Sequence, residues 1–278
     1  MTKRLKVGLP NYGNTCYINS TLQCLRYSKP LVFMLRDHRF QAKKNDKKEQ
    51  MLESFVELLF ADCDPRDLHI FIRNLAQLQP QFRLLRQADA HELYLYVIDQ
   101  FFEKFKNLNN PFEGQLQSTV TCNTCGNHSV STNPFISLSL EMGTQGGQFV
   151  SDMVDQFQCY EQLEDKIDCE ICTSRQSSKK ILQVTTCPTL LVLHLKRFVG
   201  MQKNDATINI EKKLTVGGKH YKLTALCNHS GTVMGGHYTA TCLRKDELWV
   251  VCNDANIRKI LELPLSTSVP YILFYEAI

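Results

Sequence analysis

Cys16 lies where a turn rich in glycine and asparagine leads into a segment with helical spacing of apolar residues. The turn and the start of that segment are residues 8–20, which read GLPNYGNTCYINS, and Leu22 and Leu25 continue the apolar side. A thiol in the first turn of a helix faces the positive end of the helix dipole, which favours the nucleophilic thiolate. The pattern therefore predicts a cysteine nucleophile. The alternative is a small, buried apolar residue, as many lone cysteines are.

A cysteine nucleophile needs a histidine base near it in space, and usually a third group that orients the histidine. His237 opens a predicted strand, and Asp254 comes seventeen residues later, just after the next strand. Neighbouring antiparallel strands can place two such positions side by side, so we predict that Cys16, His237 and Asp254 act together. Asn253 is the alternative orienting group. Because adjacent strand residues face opposite ways, only one of the two is expected to reach His237.

The stretches around Cys16 and His237 resemble two conserved motifs, called boxes, of the ubiquitin-specific proteases. This is a family of cysteine deubiquitinases of the peptidase C19 type. Residues 8–25 resemble the family's cysteine box, and residues 229–254 resemble its histidine box. Two further stretches follow the family's order: QADAHEL at 87–93 and PTLLVLHLKRF at 188–198. The resemblance extends from about residue 8 to residue 275.

The resemblance implies a papain-like cysteine protease with a helical thumb, a β-sheet palm and zinc-tied β fingers. It implies one catalytic domain over residues 1–278, with the thumb at about 8–111, the fingers at about 112–185 and the palm at about 186–278. The implied reaction is thiol-dependent hydrolysis of the isopeptide or peptide bond after the C-terminal glycine of ubiquitin. A protease for another ubiquitin-like modifier would use identical chemistry, so the sequence leaves it open. An inactive ubiquitin-binding scaffold also stays open, although the intact catalytic residues argue against it.

Asn11 matches the family position whose side-chain amide binds the oxyanion, together with the backbone N–H of Cys16. The alternative for Asn11 is ordinary turn chemistry. By the same resemblance, Asp89 helps to hold the arginine-bearing tail of ubiquitin, although a charge that only stabilises a helix N-terminus is the other interpretation. Ala88 stands where the family usually has a second glutamine, so this chain lacks any contact that the side-chain amide of that glutamine would make.

Tyr238 is expected to line a narrow channel for the diglycine end of the tail, and Gly235 and Gly236 to make room for it. His229 matches a loop residue beside the tail and is also a rival base. In the strand before residue 198, His194 is predicted to be a core histidine. Lys196 and Arg197 are predicted at the surface or in local ion pairs.

Cys122 and Cys125 form one C-x-x-C pair, and Cys169 and Cys172 form a second after 43 intervening residues. Each pair can present two thiolates to one tetrahedral ion, and four sulfurs leave no open coordination position. We therefore predict a structural Zn²⁺ site. His128 and Cys159 are nearby alternatives that complete the pattern less well. In the family, such ligands tie the tips of the fingers.

The order of elements predicts an α+β protein. Helical spacing dominates up to about residue 106, and alternating or β-branched stretches dominate from residue 112 onward. The net charge of +4 is small, so we expect no nucleic-acid partner, and a zinc-finger nucleic-acid binder is disfavoured.

We expect no membrane segment, and residues 1–4 lack the apolar run of a signal peptide. Twelve cysteines without a secretion signal predict reduced thiols and metal ligands, and therefore the cytoplasm, the nucleus or both. We expect a monomer that acts on ubiquitin and ubiquitinated proteins.

Overall fold

The computed structural model describes residues 7–36, 40–60 and 64–278. The N-terminal stretch from which the absence of a signal peptide was predicted, residues 1–4, lies outside these ranges. Within them, no helix is long and apolar enough to cross a lipid bilayer.

Helices make up most of the first hundred residues, as predicted. They are α1 (Cys16–Arg26), α2 (Lys29–Leu35), α3 (Lys47–Leu58), α4 (Pro65–Leu78), a short 3₁₀ helix (Pro80–Phe82) and α5 (Ala90–Lys104). Three of them begin after an aspartate whose carboxylate accepts a backbone N–H of the first turn: Asp46, Asp64 and Asp89. Such caps satisfy N–H groups that have no partner inside the helix.

A long β region follows and carries the four C-x-x-C cysteines. Its strands are β1 (Gly114–Cys122), β2 (His128–Phe135), β3 (Leu138–Leu140), β4 (Gln148–Phe149), β5 (Glu161–Gln162), β6 (Ile167–Cys169), β7 (Ser174–Gln176) and β8 (Ser178–Thr186). Helix α6 (Val150–Phe157) lies between β4 and β5. Four strands form a sheet in the order β2-β1-β8-β5, and β6 pairs with β7 in a separate hairpin.

The remaining strands build the sheet on which the helices rest. They are β9 (Leu190–Leu195), β10 (Phe198–Val199), β11 (Gln202–Lys203), β12 (Ile208–Asn209), β13 (Lys213–Val216), β14 (Lys219–Thr232), β15 (Gly235–Leu243), β16 (Trp249–Asn253), β17 (Asn256–Ile260), β18 (Ser266–Thr267) and β19 (Pro270–Ala277). The main sheet has the order β17-β16-β15-β14-β19-β9-β3, and β13 also pairs with β14. All of its pairs are antiparallel except β3 with β9.

Two apolar clusters cover the opposite faces of this main sheet. One joins it to helices α1–α5 and includes Tyr17, Phe101 and Phe274. The other lies beneath α6 and includes Met153 and Trp249. Strand β9 contributes Val192 to the first cluster and Leu191 and Leu193 to the second. A strand buried on both faces reads as a continuous apolar run, which explains its leucine-rich sequence.

The basic pair that follows β9 divides between surface and interior. Lys196 pairs with Glu141 at the surface, as predicted. The prediction for Arg197 is wrong, because its side chain is fully buried. Its guanidinium donates to the backbone carbonyls of Pro270, Asn204 and Ala206 at 2.5, 2.9 and 3.0 Å. Two of these carbonyls are seven and nine residues further along the chain and the third is at the start of β19, and the residue types do not indicate any of them.

Candidate active site

Cys16 is the first residue of α1 and is 3% exposed. The segment before it is docked on the end of β16, since the N–H of Leu9 donates to the carbonyl of Asp254 at 2.9 Å. Gly8 permits this approach, because a Cβ there would lie 2.1 Å from the carbonyl oxygen of Ala255. The close contact explains a glycine in the cysteine box and brings the nucleophile to the end of the histidine-bearing sheet.

The pKa of the Cys16 thiol is raised above its ordinary value, chiefly because the thiol is buried. A hydrogen bond from the backbone N–H of Tyr238 lowers it, and the nearby carboxylate of Asp254 raises it. The expectation that the helix N-terminus favours the thiolate is therefore outweighed in this structure. The contact with Tyr238 also places Cys16 beside the residue that follows His237.

Alkylation of Cys16 should accelerate steadily as the pH rises from 7 to beyond 9. The reason is that the raised pKa keeps the substrate-free thiol protonated at neutral pH. The rate of carbamidomethylation can be followed by mass spectrometry of the Cys16 peptide. In urea-unfolded protein the same cysteine should reach half its maximal rate near pH ~8.5. A rate in the folded protein that is already constant below pH 7 would contradict the raised pKa.

His237 lies near the start of β15, and its Nε2 is 2.7 Å from Oδ1 of Asn253. The carboxylate of Asp254 lies farther away, 4.0 Å from the same nitrogen. The expected direct hydrogen bond from His237 to the carboxylate of Asp254 is therefore not observed. His237 bonds instead to Asn253, the alternative orienting group. Strand β16 ends at Asn253, and Asp254 has a φ of +50°, so the chain turns and sends its carboxylate elsewhere.

The bond to Asn253 fixes the tautomer of the imidazole. A side-chain amide oxygen is only an acceptor, so Nε2 of His237 carries the hydrogen and donates it. Nδ1 is then left with a lone pair and can accept a proton. A histidine base whose far nitrogen is held in this way is the arrangement that nucleophilic catalysis requires.

The carboxylate of Asp254 binds two asparagines instead. Its Oδ2 accepts from Nδ2 of Asn11 at 3.1 Å, and its Oδ1 accepts from Nδ2 of Asn19 at 2.7 Å. Asn19 also donates to the carbonyls of Leu9 and Pro10, at 3.0 and 3.2 Å. Asp254 thus ties the turn before Cys16 to helix α1.

Asn11 has the turn contacts that were one of its two predicted roles. Its Oδ1 accepts from the backbone N–H groups of Gly13 and Thr15, at 3.0 and 3.1 Å, which is turn chemistry. These bonds orient the amide so that one of its hydrogens points to Asp254. A primary amide has two hydrogens, so the second remains for a ligand.

Asp89 is committed to contacts within the protein. Its Oδ1 accepts from the N–H groups of His91 and Glu92, at 2.6 and 3.1 Å, which caps α5. Its Oδ2 accepts from the hydroxyl of Tyr271. The predicted role as a helix cap therefore accounts for Oδ1, and Oδ2 is used in the hydrogen bond to Tyr271 in β19.

His229 is buried between aromatic rings, with ring centroids 4.6 Å from Tyr238 and 5.1 Å from Phe198. Burial, assisted by the charge of Lys203, lowers its pKa to about 4. Its Nε2 lies beneath Gly236, where an added Cβ would approach it to 2.1 Å. Gly236 is therefore required by this packing, whereas Gly235 faces open space.

The other histidines singled out in the sequence are structural. His194 bonds through Nδ1 to the hydroxyl of Ser139 at 3.0 Å, as predicted for a core histidine. It stacks on His91 with ring centroids 3.9 Å apart, and His91 bonds to Ser137 at 2.9 Å.

Sequence reasoning missed Gln87 as a link between the two halves of the site. Its Nε2 donates to the carbonyl of Gly236 at 2.8 Å, and its Oε1 accepts from the N–H of Gly236 at 2.9 Å. The partners are 149 residues apart, so no local signal indicates the contact. This bidentate bridge holds the segment before α5 against the hairpin that carries His237.

The four C-x-x-C cysteines come together at the tip of the long β region. Their Sγ atoms all lie within 4.8 Å of one another, with 3.5 Å between Cys125 and Cys169 and 4.0 Å between Cys122 and Cys172. Four thiolates on a tetrahedral ion with bonds of ~2.3 Å are separated by about 3.8 Å. The cluster can therefore hold a metal ion.

Residues 7–275 match the family model described as ubiquitin carboxyl-terminal hydrolase. The chain belongs to this family. Similar curated proteins include Usp2 of Drosophila melanogaster and ubiquitin carboxyl-terminal hydrolase 21 of Homo sapiens, each 28% identical over 97% of this chain. The chain spans 34% and 61% of their lengths, respectively.

Solved structures of similar chains agree with this family assignment. The Ubp8 complex described as the SAGA DUB module bound to ubiquitin aldehyde contains a chain with a TM-score of 0.85 and 25% identity, over 98% of this chain and 69% of that chain. This likeness and the family match confirm the predicted α+β, papain-like fold with thumb, palm and fingers. They also confirm the resemblance to the ubiquitin-specific proteases.

Proposed function

We propose that the chain is a cysteine deubiquitinase that hydrolyses the isopeptide or peptide bond after the C-terminal glycine of ubiquitin. Family membership supports this. The observation that carries it is the arrangement at the end of the main sheet. There Asn253 holds Nε2 of His237, and the buried thiol of Cys16 lies against the backbone N–H of Tyr238, the next residue. A solved relative is described as bound to ubiquitin aldehyde, an observation about that protein which agrees with the proposal.

In the proposed reaction, Nδ1 of His237 takes the proton from the thiol of Cys16 as the sulfur attacks the glycine carbonyl. Because burial keeps the thiol protonated, the transfer accompanies the attack. The imidazolium then protonates the departing lysine amine, and the thioester is hydrolysed with the same histidine as base. Asn253 is a positioning residue that maintains the tautomer.

The tetrahedral oxyanion is proposed to bind the second Nδ2 hydrogen of Asn11 and the backbone N–H of Cys16. The first N–H groups of a helix have no partner within the helix, so that of Cys16 is suited to the role. Asp254 contributes through Asn11, because its carboxylate holds the other hydrogen of the same amide. This assigns Asp254 a supporting role rather than the imidazole-orienting role expected from sequence.

We propose that Asp89, Tyr238 and His229 contact or shape the channel for the ubiquitin tail. The rings of Tyr238 and His229 are in contact at an angle of 60°, and His229 lies beneath Gly236. A neutral, buried His229 is suited to shaping the channel rather than to acting as a base. Asp89 lies on the facing helix and carries the charge that an arginine of the tail would need.

We propose Zn²⁺ as the ion of the four-cysteine cluster, held by Cys122, Cys125, Cys169 and Cys172. Four thiolates and near-tetrahedral spacing suit this ion. Zinc without an open coordination position would be structural. It would join the turn after β1 to the β6–β7 hairpin, whose own pairing extends over only three residue pairs.

Removal of the metal with a chelator should lower the melting temperature by roughly 5–10 °C, equivalent to about 3–6 kcal/mol for a domain of this size. The loss should also expose residues 165–176 to proteolysis. One zinc per chain is expected by elemental mass spectrometry, and Cys172→Ser should reduce that content. Cys159→Ser is the matched control, because Cys159 is a nearby exposed cysteine outside the cluster. Full metal content in Cys172→Ser, or an unchanged melting temperature after chelation, would contradict the assignment.

Ubiquitin and ubiquitinated proteins are the proposed partners of a chain acting as a monomer in the cytoplasm or nucleus. We also propose that residues 1–278 form one catalytic domain. Strand β9 supports this, because it contributes to both apolar clusters of the palm.

The activity is tested by hydrolysis of ubiquitin joined at its C-terminus to a fluorogenic aminocoumarin. Parallel reactions would use other ubiquitin-like modifiers joined to the same dye. Release from ubiquitin at a rate at least tenfold above the others supports the proposal. Release from a different modifier alone would show that this modifier, and not ubiquitin, is the substrate. Release from no modifier by folded protein would favour an inactive scaffold.

A further inference from the structure

Residues 83–89 form a segment that contacts three elements around the active site in turn: β19, the hairpin that carries His237 and the turn before Cys16. At one end, Asp89 caps α5 and bonds to Tyr271. In the middle, Gln87 holds both backbone groups of Gly236, next to His237. At the other end, Leu85 reaches the turn before Cys16. The segment thus runs from the proposed tail channel, past the histidine hairpin, to the far side of the nucleophile.

Leu85 is attached to the cysteine turn by its backbone. Its N–H donates to the carbonyl of Gly13 at 3.2 Å, and its carbonyl accepts from Nδ2 of Asn14 at 2.9 Å. Its side chain lies over Gly13, where an added Cβ would meet Cδ2 of Leu85 at 2.8 Å. Both residues have a positive φ, +91° for Gly13 and +66° for Leu85.

A leucine is an unusual residue for this conformation. The left-handed region is unfavourable for residues with a Cβ, and asparagine or glycine is the ordinary occupant. The leucine side chain is nevertheless 76% exposed, so burial does not compensate for the strain. An exposed apolar side chain held against the turn that leads into the nucleophile has the character of a contact for a ligand.

The neighbours of Leu85 extend this contact into a small surface, which we call the acceptor surface. It consists of Tyr12, Arg83, Leu84, Leu85 and Arg86, all of which are exposed. Among the described residues, neither Arg83 nor Arg86 has a carboxylate within ion-pair distance. The surface therefore offers apolar groups between two uncompensated positive charges.

We propose that the acceptor surface binds the polypeptide that carries the modified lysine, on the leaving-group side of the scissile bond. This inference rests on the proposed function. The ubiquitin tail enters at Asp89, so the chain attached to the departing amine extends toward Leu85. The apolar side chains fit an apolar residue beside the modified lysine, and the two arginines fit acidic residues around it. The occupant is an acidic and apolar segment of the acceptor protein.

Two substrates with identical ubiquitin moieties separate this role from catalysis. One releases aminocoumarin, and the other releases a peptide joined through a lysine isopeptide bond, with leucine and glutamate next to that lysine. Leu85→Gly and Leu85→Asn both accept the left-handed backbone, so each removes the apolar side chain and retains the two backbone bonds. Leu261→Asn is the matched control, because Leu261 is fully exposed and is not one of the residues of the acceptor surface.

The ratio of kcat/KM for the peptide conjugate to that for the aminocoumarin conjugate should fall about fivefold in both Leu85 variants. It should be unchanged in Leu261→Asn. Arg83→Gln combined with Arg86→Gln should lower the same ratio, and this loss should disappear when serine replaces glutamate in the peptide. An unchanged ratio, or an equal loss with both substrates, would overturn the inference. No wild-type hydrolysis of either conjugate would instead refute the proposed function on which it rests.

Discussion

Cys16→Ala should abolish hydrolysis of ubiquitin–aminocoumarin, with a loss of more than about 10⁴-fold in kcat. The substitution removes the only atom that can form the thioester in the proposed reaction. The turn before it is held by the hydrogen bonds of Asn11, Asn19 and Asp254, none of which involves the thiol. The variant should therefore fold and still bind ubiquitin, as measured by thermal melting and by titration calorimetry.

Cys159→Ala provides the control for this substitution. Cys159 is exposed, and its Sγ donates to the carbonyl of Asp155 at 3.4 Å. Its loss should leave kcat within twofold of the wild-type value. Hydrolysis by Cys16→Ala within tenfold of wild type would show that another group is the nucleophile.

Asn253→Ala should lower kcat by roughly 10²–10³-fold, with little change in the melting temperature. Without the Oδ1 acceptor, Nε2 of His237 loses its partner and the imidazole is free to rotate and change tautomer. Asn253→Asp retains an acceptor oxygen at the same position and should recover most of the activity. The measurements are kcat for ubiquitin–aminocoumarin and its dependence on pH.

Asp254→Ala separates the two candidate orienting groups. It should lower kcat through loss of the fixed Asn11 amide, and it should also lower the melting temperature, since Asp254 ties the turn to α1. His237 keeps its bond to Asn253 in this variant, so the pH profile should change only through a lower pKa of the Cys16 thiol, which loses the nearby carboxylate. Near wild-type activity in Asn253→Ala, with a loss of about 10²-fold or more in Asp254→Ala, would restore Asp254 as the group that orients the base.

Asn253 and Asp254 show how much of the site can be predicted from the sequence. The spacing of His237, Asn253 and Asp254 indicated that one of the two adjacent residues reaches the imidazole, and this holds in the structure. Which of them does so depends on where β16 ends and on the positive φ of Asp254. Backbone conformation at a single residue beyond a strand leaves no clear trace in residue types.

The fold and the metal cluster were more accessible because their signals are local. Helical spacing, β-branched runs and two C-x-x-C pairs each lie within a few residues of sequence. The pKa of Cys16 was not accessible, since the helix N-terminus is a local feature but the burial that outweighs it comes from the whole palm. Arg197, Gln87 and Leu85 were missed or misplaced for the same reason. Most of their partners are backbone groups that the fold brings close, and backbone groups carry no sequence signal.

Labelling with ubiquitin that carries a C-terminal electrophile tests the central claim most directly. The electrophile reaches only a nucleophile at the end of the tail channel, so the adduct reports substrate identity and nucleophile together. Peptide mapping by mass spectrometry should find a single adduct on Cys16, absent in Cys16→Ala and much slower in His237→Ala and Asn253→Ala. An adduct on any other cysteine, or no adduct with folded, metal-loaded protein, would contradict the account.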